Sequence, residues 1–348
     1  MTAARNVSKF APIGRRTWMS TAGIERAHRA ILFPGQGSQY VGMGKDLYHL
    51  YPRSAKLVFD EVDEALGYGL KSLIFEGNQG KLKLTENAQP AILTTSVAML
   101  RVLQVEFGLD MTSGYVMGHS LGEYTALVAT QALSLTDAVR LVRLRGEAMT
   151  RSVQDLPTPT AMAALVVREG RLQDLEDAIG EIKDMLPKGE VVELANINSS
   201  FQVVISGTSR GVDGASRILQ QRQLAARAVD LPVSAPFHCE FMTEAAQVMK
   251  DALDSVTLRK PCVDVISNVT AKPYTSAEEI PKHLVQQITS PIQWSRSITY
   301  CKSQDVDEFI CFGPGKVLAN LLKKEYPLDQ VKSITSADDI LHHAQDFY

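Results

Sequence analysis

The sequence predicts an α/β fold with a parallel sheet at its core and a smaller domain inserted into it. Short apolar stretches typical of buried strands alternate with stretches in which apolar residues recur at helical spacing. From residue 160 to 232 the order becomes strand, helix, strand, strand, helix, strand, which is typical of a ferredoxin-like unit. The proline-rich stretch QDLPTPT (154–160) leads into this unit and has the composition of a linker.

The elements of the larger unit follow in chain order. AILFPGQGSQ (30–39) predicts a buried strand that runs into a glycine-rich loop, and helices are predicted near 52–66 and over 86–107. GYVMGHS (114–120) predicts a second strand ending in a turn, and the apolar spacing of 121–133 predicts a helix directly after it. Further along, VDVISNV and VDEFICF predict strands and KVLANLLKKE predicts a helix.

The inserted unit supplies the remaining elements. Four strands are predicted for AMAALVV, VVELANI, FQVVISG and ARAVDLPV. Two helices are predicted for RLQDLEDAIGEIKDML and SRILQQRQL. The predicted domains are therefore a large domain made of 30–155 and 233–348, and a small domain made of 156–232.

Composition excludes several classes of function. The chain of 348 residues has 45% hydrophobic residues and a net charge of −3, which gives no electrostatic reason to expect a nucleic-acid or membrane-surface partner. No apolar run approaches the roughly 18–20 residues that span a bilayer. The four cysteines lack CxxC spacing and indicate neither a zinc site nor a disulfide framework. We expect no metal and no cofactor.

The first 29 residues differ in composition from the rest. They contain one acid, Glu25, frequent serine and threonine, no long apolar segment, and several basic residues: Arg5, Lys9, Arg15, Arg16, Arg26 and Arg29. This composition is typical of a mitochondrial transit peptide; the alternative is a basic tail. It predicts a location in the mitochondrial matrix and a folded chain that begins near Ala30.

GHSLG (118–122) has the Gly-x-Ser-x-Gly pattern of a nucleophile elbow, at a predicted strand-to-helix turn. A serine on such a turn projects its hydroxyl away from the backbone, and the helix that follows directs free N–H groups toward the reacting centre. The alternative is a serine that only caps a helix. The pattern predicts Ser120 as a nucleophile.

A serine nucleophile needs a base, and His238 in LPVSAPFHCEFM is the best candidate. It lies at a loop-to-helix junction after two prolines. His119 adjoins the serine and is expected to point to the opposite face, where it would shape the pocket or pack below it. The other histidines lie in the basic stretch, the C-terminal tail or polar segments: His28, His49, His283, His342 and His343. No aspartate in an obvious third position follows the serine, so a backbone carbonyl could orient the imidazole instead.

The helix predicted over 134–149 begins with Ser134 and Asp137 in capping-box spacing. Arg145 falls within the apolar stripe of this helix, and a buried cation is costly unless an anion meets it. Two explanations stay open. The cation could snorkel or pair with an internal acid such as Glu123, or its planar fork could bind a carboxylate on a substrate.

The glycine-rich loop FPGQGSQYVGMG (33–44) matches neither nucleotide-binding pattern. No G-x-G-x-x-G register fits, because the register that starts at Gly35 meets Tyr40 where it needs its third glycine. Walker A fails because Gln39 stands where a glycine is needed and Asp46 follows Lys45. Its glycines are better explained by backbone N–H groups that approach a developing oxyanion.

The chain carries six motifs in the order found in malonyl-CoA:acyl-carrier-protein transacylases: FPGQGSQ, GHSLGEY, RLRGEAM, NINS, SAPFH and GPGKVL. It resembles this family over roughly 30–325. The resemblance, taken with the basic stretch, suggests the mitochondrial type. It implies a hydrolase-like large domain with a ferredoxin-like insertion. It also implies that malonyl passes from coenzyme A to the phosphopantetheine thiol of acyl carrier protein, for fatty acid synthesis, through a malonyl ester on Ser120. His238 would be the base, and Arg145 would hold the malonyl carboxylate.

The resemblance implies five further roles. The backbone N–H groups of Gln36 and Leu121 would form the oxyanion hole, and Asn196 would lie near the active site. The main-chain carbonyl of Gln293, in SPIQW, would orient the histidine. Phe237 resembles the form selective for malonyl rather than methylmalonyl. The chain departs from the family in NINSS, where proline often follows NxNS.

The expected partners are malonyl-CoA and acyl carrier protein, with no nucleic acid and no membrane, and the protein is expected to be a monomer. Two alternatives stay open. A serine thioesterase or hydrolase of the same general fold would release the acyl group to water. A non-catalytic scaffold would only dock carrier proteins.

Overall fold

The structure is a computed structural model that describes residues 28–109 and 114–343. The predicted transit peptide thus lies outside the described residues except for its end. Arg29 opens the first strand, and its guanidinium lies 2.6 Å from the Glu308 carboxylate on a neighbouring strand.

The described residues form two sheets surrounded by helices. The strands are β1 (Arg29–Phe33), β2 (Tyr115–Gly118), β3 (Thr160–Val167), β4 (Val192–Ser199), β5 (Gln202–Thr208), β6 (Ala225–Asp230), β7 (Asp264–Val265), β8 (Glu308–Phe312) and β9 (Gln330–Ile334). The helices are α1 (Lys45–Leu50), α2 (Ala55–Leu66), α3 (Leu70–Glu76), α4 (Gln79–Lys83), α5 (Thr85–Glu106), α6 (Gly122–Ala129), α7 (Leu135–Arg151), α8 (Leu172–Met185), α9 (Ser209–Gln221), α10 (Thr243–Leu253), α11 (Glu279–Ile288), α12 (Trp294–Lys302), α13 (Val317–Glu325) and α14 (Ala337–His343). A 3-10 helix spans Glu240–Met242.

The larger sheet is parallel, with strand order β7-β2-β1-β8-β9. All four residues of β2 are buried, and so are four of the five in β1 and in β8. Such continuous burial is expected where helices cover both faces of a parallel sheet. The buried helix α5 packs against α7 and α6 and contacts β8. The predicted fold class is confirmed.

The smaller sheet is antiparallel, with strand order β4-β5-β3-β6. Helices α8 and α9 pack on it and bury a separate apolar cluster that includes Leu165, Ile179 and Val203. The chain order and strand order together are those of a ferredoxin-like unit. All six elements lie within the residues predicted for the small domain.

Backbone hydrogen bonds join the edge of the smaller sheet to the large unit. Asn196 forms a parallel bridge with Ile292, the Ile292 N–H donates to the Ala195 carbonyl at 2.9 Å, and the Ile197 N–H donates to the Ile292 carbonyl at 2.9 Å. The side of β4 that carries Asn196 is thereby held against the large unit.

Helix α6 and strand β7 are shorter than the sequence predicts. Helix α6 ends at Ala129, because Gln131 adopts a left-handed φ of 60° and the Leu127 carbonyl accepts from the Ala132 and Leu133 N–H groups. The strand predicted for VDVISNV is reduced to β7, because a turn closed by a hydrogen bond from the Ser267 N–H to the Lys272 carbonyl follows it. None of the described helices combines the length and the apolar character needed to cross a membrane.

Candidate active site

A tight turn between β2 and α6 presents Ser120. The turn is crowded: a Cβ atom added to Gly118 would lie 1.9 Å from the carbonyl carbon of Gly122, so a side chain at 118 is excluded. Ser120 has a φ of 53°, in the left-handed region that only a strongly constrained serine adopts. The structure therefore forms a strained nucleophile elbow that holds the hydroxyl at the carboxyl end of the sheet.

The glycine-rich loop after β1 packs directly on this elbow. A Cβ at Gly35 would lie 2.6 Å from the His119 carbonyl oxygen, so glycine is required for the approach. Gln36 and Leu121 then line the same cavity, and neither backbone N–H has a hydrogen-bond partner among the described residues. Two free N–H groups beside a nucleophilic serine are the donors that an oxyanion hole needs.

His238 is in place to act on Ser120. Its Nε2 lies 3.0 Å from the Ser120 Oγ, and its Nδ1 lies 2.8 Å from the main-chain carbonyl oxygen of Gln287. A carbonyl can only accept, so the proton resides on Nδ1 and the free lone pair of Nε2 faces the serine hydroxyl. Burial, together with the positive charge of Arg145, lowers the pKa of His238 to about 3, so the imidazole is neutral and ready to accept a proton.

The prediction that Gln293 orients the histidine is wrong. The Gln293 carbonyl accepts from the Ser297 N–H at 2.9 Å in the first turn of α12, and it also accepts from the Ser297 hydroxyl. This carbonyl therefore caps the first turn of α12 and does not contact His238. Gln287, in the last turn of α11, supplies the carbonyl instead.

Arg145 extends from α7 into the same site and is 2% exposed. Its Nη2 donates to the Ser120 Oγ at 3.1 Å and to the Gln287 Oε1 at 2.8 Å, and its Nη1 donates to the Gln89 Oε1 at 2.8 Å. Its Nε has no hydrogen-bond partner within 28–109 and 114–343. All of these acceptors are neutral, so the guanidinium is a buried cation without an ion-pair partner in the described structure.

The internal ion pair considered for Arg145 is not formed. The Glu123 carboxylate accepts instead from the Tyr274 hydroxyl at 2.6 Å, the Gln287 Nε2 at 2.6 Å and the Asn268 N–H at 3.2 Å. It is fully buried on the far side of the elbow, and this burial raises its pKa to about 7. The guanidinium thus stays available to an anion in the cavity.

A cavity of about 320 Å³ opens at Ser120. Asn196 and Phe237 line this cavity, where the resemblance to the transacylase family places them. His119 lines it as well, and its Nε2 lies 2.9 Å from the Asn198 Oδ1. The cavity lining has two basic side chains, Arg145 beside Ser120 and the exposed Lys83, and no carboxylate. The charge of this lining favours the binding of a negatively charged substrate. In the described part of the chain, no cluster of histidine, cysteine or acidic side chains could hold a metal ion.

The sequence matches the family model of the acyl transferase domain over residues 31–345. The chain belongs to the acyl transferase family. Among similar members of this family, the malonyl CoA-acyl carrier protein transacylase of Bacillus subtilis (strain 168) is 47% identical over 296 residues, which cover 85% of this chain and 89% of that protein. The corresponding protein of Escherichia coli (strain K12) is 41% identical over 297 residues, covering 85% and 92%.

Solved structures of acyl transferases agree with this assignment. The acyl-carrier-protein S-malonyltransferase of Bartonella henselae superposes with a TM-score of 0.84 at 39% identity, covering 92% of this chain and 99% of that one. A malonyl-transacylase solved in complex with a type II PKS acyl-carrier protein gives a TM-score of 0.83 at 34% identity, covering 91% and 99%.

Sequence reasoning missed several polar residues of this acyl transferase site, above all Gln287. A signal was present, because Gln287 lies on the apolar face of α11 with Ile280, Leu284 and Ile288, and all four are buried. A polar residue in an apolar stripe is the same signal that identified Arg145. Gln89, in the apolar helix α5, carries it as well.

Proposed function

We infer that this acyl transferase is a malonyl-CoA:acyl-carrier-protein transacylase that serves fatty acid synthesis. The observation that carries the inference is the contact between Arg145 and Ser120. A buried guanidinium without an ion-pair partner in the described residues donates directly to the nucleophilic hydroxyl. An acyl group that has a carboxylate two bonds beyond its thioester carbonyl can bind the guanidinium while the carbonyl meets the serine.

In the first half-reaction the Ser120 Oγ attacks the thioester carbonyl of malonyl-CoA while the His238 Nε2 accepts the hydroxyl proton. The oxyanion is stabilised by the N–H groups of Gln36 and Leu121, each of which contributes roughly 3–4 kcal/mol in sites of this kind. The imidazolium then donates its proton to the departing thiolate of coenzyme A. A malonyl ester on Ser120 remains.

In the second half-reaction the phosphopantetheine thiol of acyl carrier protein enters the same cavity. His238 accepts the thiol proton, the thiolate attacks the ester carbonyl, and the ester bond to the Ser120 Oγ breaks as the oxygen regains its proton. Malonyl leaves on the carrier protein and the serine is restored. Because one cavity serves both carriers in turn, the kinetics are ping-pong.

Purified protein, malonyl-CoA and holo acyl carrier protein test this function together. We expect malonyl transfer with parallel double-reciprocal lines, and transfer much faster than release of free malonate. Faster release of malonate would support the thioesterase alternative. Specific binding of carrier protein without any transfer would support the scaffold alternative.

Lys83 is predicted to contact a phosphate of the thioester carrier. It lines the mouth of the cavity, is exposed, and forms no ion pair within the described chain. Lys83→Ala should raise the KM for malonyl-CoA about threefold to tenfold, with little change in kcat, as for one exposed charge–phosphate contact. The KM for a malonyl thioester of N-acetylcysteamine, which has no phosphate, should not change.

Lys81 provides the matched control for this test, because it is exposed on the same short helix and does not line the cavity. Lys81→Ala should behave as the unmodified protein does. An equal rise in KM for both thioesters in Lys83→Ala would contradict the phosphate contact.

We further propose that residues 1–29 direct the protein to the mitochondrial matrix and that it acts there as a monomer. Import is supported by the basic, serine-rich and acid-poor composition of this stretch. A fluorescent protein fused to residues 1–30 should accumulate in mitochondria, and a diffuse cytosolic signal would contradict import. Light scattering of the purified protein should give the mass of one chain.

A further inference from the structure

We propose that Glu123 is a positioning residue, whose buried carboxylate fixes the orientation of the Gln287 side-chain amide and thereby aligns Arg145 and Ser120. The inference deepens the proposed function and rests on it. Glu123 itself does not line the cavity and is separated from the acyl group by the elbow.

Gln287 contacts every member of the catalytic group. Its main-chain carbonyl accepts from the His238 Nδ1 at 2.8 Å, and its side-chain Oε1 accepts from the Arg145 Nη2 at 2.8 Å. Its Nε2 donates to the Ser120 main-chain carbonyl at 3.0 Å. This one residue therefore links base, cation and nucleophile.

The side-chain amide of Gln287 can occupy its site in two orientations of nearly the same shape and opposite polarity. In one of them the oxygen accepts from Arg145; in the other the NH2 group faces the guanidinium, and two donors meet. Two acceptors of the Nε2 group favour the first orientation: the Ser120 main-chain carbonyl, at 3.0 Å, and the carboxylate of Glu123. Ionised, it can only accept, so the Gln287 Nε2 must turn toward it, and the two atoms lie 2.6 Å apart.

Hydrogen-bond donors stabilise the ionised, accepting form of Glu123, which burial disfavours. The Tyr274 hydroxyl donates to it at 2.6 Å and the Asn268 N–H donates at 3.2 Å. The Asn268 side chain in turn accepts from the Ser120 N–H at 2.7 Å and donates to the Gly118 carbonyl at 2.7 Å. Carboxylate, amides and elbow thus form one hydrogen-bonded group in which every donor faces an acceptor.

This arrangement makes transfer depend on pH in a defined direction. The charged or titratable groups that face Glu123 are Arg145, Tyr274 and Tyr124. Burial raises the pKa of Glu123 to about 7, so the carboxyl gains a proton as the pH falls through about 7. A protonated carboxyl can donate, and it then no longer requires the Gln287 NH2 group to face it. Activity should therefore fall as the pH drops below about 7. His238 does not cause this fall, because its pKa is lowered to about 3 and it stays neutral in this range.

The test compares kcat/KM against pH for four proteins. Glu123→Gln should transfer malonyl about 10- to 100-fold more slowly than the unmodified protein, lose much of its preference for malonyl over acetyl, and show no loss of activity centred near pH 7. Tyr274→Phe keeps the carboxylate but removes a donor that lowers its pKa, so the loss of activity should move to higher pH. Glu147→Gln is the control, because Glu147 pairs with Arg143 on α7 away from the cavity.

The outcomes separate this inference from the proposed function. An unmodified protein that does not transfer malonyl overturns the proposed function. If the unmodified protein is active and the Glu123→Gln variant keeps both the selectivity and the pH profile, the role of Glu123 is overturned and the proposed function stands. If Glu123→Gln does not fold, Tyr274→Phe decides, and an unshifted pH profile in that variant overturns the inference.

Discussion

Arg145→Ala is expected to lower kcat/KM for malonyl transfer by about 10²- to 10⁴-fold while acetyl transfer is kept or rises. The malonyl carboxylate would lose a buried partner, a loss worth roughly 3–5 kcal/mol. Acetyl has no carboxylate and cannot make this contact. The positive charge of Arg145 also helps to lower the pKa of His238, so its removal makes the base stronger for any acyl group.

The same electrostatic coupling contributes to selectivity in the unmodified protein. A bound malonyl carboxylate neutralises Arg145 and so relieves the effect of its charge on His238, whereas a bound acetyl group leaves that effect in place. Malonyl therefore increases the basicity of the residue that activates Ser120. We expect part of the preference for malonyl to appear in kcat and not only in KM.

Steady-state rates with malonyl-CoA and acetyl-CoA measure this prediction. Arg140→Ala is the matched control, because Arg140 is an exposed arginine on the same helix and does not line the cavity. Equal losses for the two acyl groups in Arg145→Ala would contradict a carboxylate-binding role.

Ser120→Ala is expected to reduce transfer by about 10⁴-fold or more, because no acyl-enzyme can form. The fold should be preserved. Alanine bears the same left-handed φ of 53° with a strain similar to that of serine, and only the side-chain contacts to Arg145 and His238 are lost. Transfer assays, with the melting temperature measured in parallel, check both expectations.

Ser152→Ala serves as the control for the loss of a hydroxyl. Ser152 caps the end of the helix that carries Arg145, and its hydroxyl donates to the Ala148 carbonyl at 3.0 Å, outside the cavity lining. Substantial residual transfer in Ser120→Ala would indicate a direct thiol-to-thioester exchange and would contradict the malonyl-serine intermediate.

Two of the residues that the sequence identifies stand out from their surroundings. Ser120 lies between glycines at the end of an apolar strand, and Arg145 interrupts an apolar helical stripe. The structure brings both together with His238, as the motifs suggest. The group that orients His238 could not be found in this way, because it is a main-chain carbonyl, which every residue has. The apolar stripe of α11 marks Gln287 as a buried polar residue, but nothing in the sequence marks its main-chain carbonyl as the partner of His238.

The limits of the fold prediction have a similar origin. The strands of the parallel sheet are recognisable because continuous burial requires continuous apolar residues. The sequence does not mark the ends of α6 and β7, because Gln131 and Ala271 adopt left-handed φ values in the turns that follow these elements, where a glycine is usual. Tertiary contacts, and not local sequence, determine those boundaries.

The central claim is that a buried cation beside a reactive hydroxyl binds a charged acyl group while that group changes carriers. Mass spectrometry of the protein after brief exposure to an equimolar mixture of malonyl-CoA and acetyl-CoA tests it most directly. The account predicts a malonyl adduct on Ser120, little acetyl adduct, and loss of the malonyl adduct when holo acyl carrier protein is added. No adduct on Ser120, or equal amounts of the two adducts, would contradict it.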